Sequence, residues 1–117
     1  MGIKVYGIKN CNTMSKAMGF LQEKGVDFEL IDYKKQKPSE QLLKGFLTHT
    51  SLPVLVNKQG TTYRKMTDEQ KVQLEDETTA LPLLSENSSM IKRPVIVYPD
   101  GSITIGFDPK EIEDKLG

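Results

Sequence analysis

The sequence predicts an α/β fold with a mixed sheet, ordered as β-α-β, a mostly helical middle, and β-β-α. Three observations carry this expectation. Alternating β-formers flank a helical stripe at the start of the chain, a second alternating pair surrounds Asp100-Gly101 near its end, and apolar residues between them recur at helical spacing. A chain of 117 residues, 37% of them hydrophobic, is long enough to bury a core without disulfide or metal support. Residues 1–117 are therefore expected to form one domain, with about 38–88 as a mostly helical insertion.

Residues 3–7, IKVYG, alternate apolar and polar and read as a strand. From Cys11 to Lys24 a helix is expected, because Met14, Met18 and Leu21 recur at spacings of four and three, Ala17 and Phe20 widen the stripe, and Gly25 stands where a helix would end. VDFELID, residues 26–32, alternates again and completes a β-α-β unit, which favours a parallel pair. Pro38 and Ser39 open the next helix, with Leu42, Leu43, Phe46 and Leu47 on its buried face. Residues 52–66 read as either helix or strand, with helix preferred. Thr67 and Gln70 form a candidate capping box for a helix over about 68–76, and Thr79 is a candidate cap for another reaching Leu84. Residues 94–107 read as a hairpin turning on a two-residue Asp100-Gly101 loop. Asp108, Pro109 and Glu111 then start a last helix whose Ile112 and Leu116 face inward. This is the element order of a thioredoxin-like fold with helices inserted between its halves, and Cys11 falls where the first strand hands over to the first helix.

Composition excludes several classes of function. Sixteen basic and sixteen acidic residues leave no net charge, so no bulk field points to direct contact with nucleic acid or an anionic membrane. No stretch approaches the ~18 apolar residues of a membrane span, and the start of the chain lacks a secretory pattern; a cytoplasmic location is expected. One cysteine cannot close an internal disulfide, and His49 is the single histidine, which argues against a metal site.

A lone cysteine is commonly a compact core residue. At a helix start the positive end of the helix dipole instead favours its thiolate, and Lys9 and Lys16 add positive charge nearby. Arginine usage is the second signal. Against fourteen lysines the chain has two arginines, Arg64 in GTTYRKM and Arg93 in IKRPVIV, either ordinary surface residues or forks placed to bind an anion bidentately. Pro94 can begin a strand because only there is its missing donor tolerated.

YGIKNC, GTTYRK, IKRPVIV and GFDPKEIEDKL, in this order and spacing, resemble the arsenate reductase (ArsC) and Spx family, most closely its YffB-like members, over essentially the whole chain. The resemblance implies the thioredoxin-like fold with a helical insertion, Cys11 as nucleophile, Arg64 and Arg93 as two of three oxyanion-binding arginines, and a cis Arg93-Pro94 bond beside the thiol. The third arginine's place is taken by Gly106, and a histidine that precedes the cysteine in some arsenate reductases is Gly7 here. Arsenate reduction is accordingly expected to be weak, with partial gain in Gly106→Arg, unless Lys16 or Lys92 supplies the missing charge. The Cys-x-x-Cys through which the Spx branch of the family usually switches is broken by Met14, so a regulator of that type would lack the redox switch. Two functions follow as expectations. One is a thiol-dependent oxidoreductase acting on an oxyanion or disulfide, holding no bound cofactor, with Cys11 released by glutathione or glutaredoxin. The other is an Spx-type regulator that binds the C-terminal domain of the RNA polymerase α subunit.

Overall fold

The computed structural model describes residues 2–117 and divides them into two compact units, residues 2–35 with 93–117, and residues 36–92. The first unit holds the sheet. Strand β1 (Ile3–Gly7) pairs in parallel with β2 (Phe28–Asp32) and antiparallel with β3 (Val95–Val97), which pairs antiparallel with β4 (Ile103–Ile105). The order β2-β1-β3-β4 makes the mixed four-stranded sheet of a thioredoxin-like fold. Helices α1 (Asn12–Glu23) and α7 (Pro109–Leu116) cover one face, where Ile3, Val5, Met14, Leu21, Ile96, Tyr98 and Ile112 form a buried cluster.

Local chemistry sets the boundaries. The α1 helix closes in a Schellman turn: Gly25, at φ +69°, donates to the Gln22 carbonyl and Val26 to that of Leu21. That bond takes the Val26 amide out of the ladder, which is why β2 begins at Phe28 and not at residue 26. The hairpin also differs from the two-residue turn expected. A turn of that kind with Asp-Gly at its centre needs positive φ at both residues, and among the described residues no side-chain-bearing residue has one. Instead the Gly101 amide bonds the Tyr98 carbonyl, Tyr98 bonds Ser102, and only Gly101 is left-handed, at φ +87°. Pro99, with its fixed negative φ, suits the first corner of such a three-residue loop. At the start of α7 the Asp108 carboxylate accepts from the Glu111 amide at 3.3 Å.

The second unit is helical: α2 (Glu40–Phe46), α3 (Leu52–Leu55), α4 (Thr61–Arg64), α5 (Asp68–Gln73) and α6 (Glu77–Glu86), with one 3₁₀ turn at Ser88–Met90. Ser39 caps α2 through the Leu42 amide, and Thr67 with Gln70 makes the expected capping box on α5. Residues 52–66 resolve into two single-turn helices followed or preceded by loop, while Val56 forms an antiparallel bridge with Ile91. Both of the competing signals there were real. Thr79 does not cap α6. Asp76 occupies that position, and the Thr79 hydroxyl, already in the first turn, donates to the Gln73 and Asp76 carbonyls. Buried Ser85 donates to the Pro38 carbonyl at 2.6 Å, tying α6 to the entry of α2.

Gly7 closes β1 under α1. A methyl group there would lie 2.7 Å from the Met14 Cε and in still closer conflict with its Sδ, and Met14 is fully buried. We expect Gly7→Ala to cost about 1–3 kcal/mol of stability by overpacking. Urea unfolding of Gly7→Ala, Met14→Ala and the double variant checks the mechanism, because the double should be destabilised by less than the sum of the singles.

Candidate active site

The chain reverses after β1 and enters α1 at Cys11, whose extended backbone (φ −139°, ψ 134°) makes it the N-cap residue. An N-cap side chain lies beside the amides of the second and third helical residues, here Thr13 and Met14, which have no partner within the helix. A serine would satisfy them with a neutral oxygen. A thiol meets the same donors and can answer them with a full charge.

Strand pairing brings the second component. Tyr6 is opposite Val95 in the β1–β3 ladder, so the residues beyond that pair, Gly7 on one strand and Pro94 and Arg93 on the other, meet at the end of the sheet where Cys11 stands. A methyl group on Gly7 would lie 3.4 Å from the Arg93 Cβ, which measures how closely the two backbones approach. The Arg93-Pro94 peptide is cis, as the resemblance implied, and Pro94 is fully buried. From this position the Arg93 guanidinium donates a hydrogen bond to the Cys11 sulfur.

The sulfur is half-buried, and burial by itself raises its pKa. The Arg93 hydrogen bond, the amides of Met14 and Thr13, and the Arg93 charge together outweigh that penalty and hold the thiol below its ordinary value. Lys9 and Lys16 are exposed, on the β1–α1 connection and on α1, and the cation that acts on the sulfur is Arg93. Arg64 is exposed at the last position of α4 in the second unit. Cys11, Arg93 and Pro94 are thus assembled by one unit, while Arg64 belongs to the other.

Gly106 follows β4 with φ +81°, and its amide donates to the Pro94 carbonyl at 2.9 Å. An arginine there would have to adopt a left-handed backbone, at a cost of about 1–2 kcal/mol. Gly106→Arg therefore carries a backbone penalty that charge alone leaves out. The helix-start amides were read from the sequence; the space that Gly7 leaves for Met14 was not. A glycine ending a strand one loop before a cysteine was the available signal for the second.

No group of three or more His, Cys, Asp or Glu among the described residues could hold a metal ion, and no helix among them is long and apolar enough to cross a membrane.

The ArsC family model matches residues 6–115. A protein of Haemophilus influenzae is 42% identical over 111 residues, covering 95% of this chain and 96% of its own. Among solved structures, a YffB protein superimposes with a TM-score of 0.91 at 36% identity, covering 98% of this chain and 99% of its own. An arsenate reductase-related protein of Brucella melitensis does so with a TM-score of 0.75 at 37% identity, over 99% of this chain and 95% of its own.

Iodoacetamide alkylation of Cys11 followed across pH should give a midpoint below the free-thiol value of about 8.5. Because Arg93 favours the thiolate, Arg93→Ala should move the midpoint upward, so that at a fixed pH below it less of the sulfur reacts. A midpoint unchanged by Arg93→Ala would show that the guanidinium does not set the thiol's ionisation.

Proposed function

The chain belongs to the ArsC family, and from that premise we propose that it is a thiol-dependent oxidoreductase whose nucleophile is Cys11. One observation carries the reading: the chain's only cysteine sits at the N-cap of α1 with the Arg93 guanidinium on its sulfur and its pKa lowered. Thiolates, not thiols, attack. A structural thiol gains nothing from such an arrangement.

On a disulfide substrate R–S–S–R′ the Cys11 thiolate attacks one sulfur, the S–S bond breaks, and R′–S⁻ leaves. A mixed disulfide Cys11–S–S–R remains. The chain has no second cysteine to resolve it, so an external thiolate must attack the mixed disulfide, taking R and returning Cys11 as the thiolate. If the external thiolate is R″–S⁻, it leaves as R–S–S–R″, and a second R″–S⁻ attacking that disulfide releases R–S⁻ and forms R″–S–S–R″, so two thiols are oxidised for each disulfide fully reduced. Glutathione, or a glutaredoxin acting with it, is the proposed donor. On an arsenate-type oxyanion the same thiolate attacks the central atom, a sulfur–arsenic bond forms as one protonated oxygen leaves as water, and Arg93 offers forked donors that neutralise the anion.

Oxidised glutathione should add one glutathione per chain, reversibly under reductant, with no addition to Cys11→Ser; intact-mass measurement reads it directly. If the folded protein alkylates readily yet never shifts in mass under oxidised glutathione, glutathione is the wrong partner.

Arsenate separates the family's activity from this chain's residues. With Gly106 at the third arginine's place, one charge-assisted contact worth about 1.5–3 kcal/mol is missing, which corresponds to roughly one to two orders of magnitude in rate. Steady-state assays with glutathione and glutaredoxin supplied should therefore show turnover that far below a three-arginine family member, and abolished in Cys11→Ser. Equal turnover would mean that some other group supplies the charge.

A further inference from the structure

We propose that the second unit carries a separate binding site for a small organic phosphate monoester, in the hollow lined by Pro53, Val54, Val56, Lys58 and Lys92, with Asn57 at its edge. The hollow has a volume of about 370 Å³, within the range of small-ligand sites. Its walls are fixed by backbone pairing. The Asn57 amide donates to the Met90 carbonyl and the Lys92 amide to the Leu55 carbonyl, both at 2.7 Å, on either side of the Val56–Ile91 bridge. These bonds hold Lys58 and Lys92, distant in sequence, on one cavity. The Asn57 side-chain Oδ1 accepts from the Gln59 amide at 3.2 Å, and Gly60 leaves room for the Asn57 Nδ2, where a methyl group would come within 3.1 Å.

The charge is one-sided. No acidic residue lines the hollow. The ion pairs among the described residues are Lys24–Glu113 and Lys37–Glu86, so neither Lys58 nor Lys92 is neutralised by a carboxylate. Glu75 borders an adjoining hollow that Lys58 also lines, and it too makes no ion pair with that lysine. Beside the two ammonium groups lies apolar surface, Pro53 and the side of Val54, which is 47% exposed although valine is normally covered. An occupant that satisfies both halves has an apolar body and a compact anionic head. Lysines act as point charges and suit a phosphate, whose charge spreads over three oxygens, where a planar carboxylate is better matched by an arginine fork.

Phenyl phosphate is the probe, titrated calorimetrically into the full chain, with phenol, inorganic phosphate and benzoate as controls. Saturable one-to-one binding is expected for phenyl phosphate. Phenol should give none, and inorganic phosphate and benzoate should bind several-fold more weakly. Lys58→Gln and Lys92→Gln should each weaken binding about five- to tenfold, and Val54→Asp, at an exposed position that tolerates it, should abolish binding. Arg93→Ala must leave it in place. The proposal is overturned if the wild type shows no saturable binding up to about 10 mM, if the double lysine variant binds as the wild type does, or if Arg93→Ala alone removes binding, which would put the phosphate at the thiol. Benzoate binding as tightly as phenyl phosphate would overturn the ligand class.

Discussion

The antiparallel pairing of β1 with β3 is the constraint on which the active site depends. It puts Tyr6 opposite Val95, and everything beyond that pair follows by counting along two strands. Gly7 ends one of them, Arg93-Pro94 immediately precedes the other, and Cys11 stands one short loop beyond Gly7. A slip of one residue in this register would turn every side chain of β3 to the opposite face. Ile96 would then leave the cluster it shares with Val5 and Met14, and the Arg93 side chain would leave the sulfur. The buried cluster that specifies the register therefore also specifies the chemistry.

Electrostatics at the sulfur is a contest whose outcome depends on that geometry. Partial burial opposes a charge, while one guanidinium and two helix-start amides favour it, and the second group wins. The half-buried position has a further effect. Screening by water weakens exposed charges such as Lys9 and Lys16, but a cation hydrogen-bonded to the sulfur in a partly dry setting keeps most of its influence. The sequence reading therefore had the right sign and one of the sources, the helix start, while the cation at the sulfur is Arg93 and not the lysines it counted as support.

What was legible in the sequence was whatever local chemistry decides: the Cys11 helix start, the Thr67-Gln70 box, the Ser39 and Asp108 caps and the strand-helix alternation all appear where their residue types put them. The failures are competitions for a backbone group. The Val26 amide could have joined β2 but is taken by the helix end, and Thr79 could have capped a helix that Asp76 had already started. Asp100-Gly101 fits a two-residue turn until Pro99, one residue earlier, favours a longer one. Residues 52–66 were ambiguous because the decision lies with Met90, Ile91 and Lys92, which hold that segment through bonds that no local window contains. The meeting of Arg93 with Cys11 is of the same long-range kind, and only the resemblance to a family made it readable.

Met14 ties the packing of the core to the single thiol of the chain. Its position, three residues after Cys11, is the one a resolving cysteine would occupy, yet its side chain is fully buried and fills the space above Gly7. A cysteine there would be too short to fill that space, and a side chain in the Gly7 position would displace whatever did. The two residues are therefore one choice. Gly7 removes any neighbour that strand position might have given the thiol, Met14 removes the internal reductant, and the volume given up by the first is taken by the second. If Cys11 turns over as proposed, a chain with one cysteine has to draw its second thiol from another molecule, and the half-exposed sulfur at the end of the sheet is where that thiol would arrive.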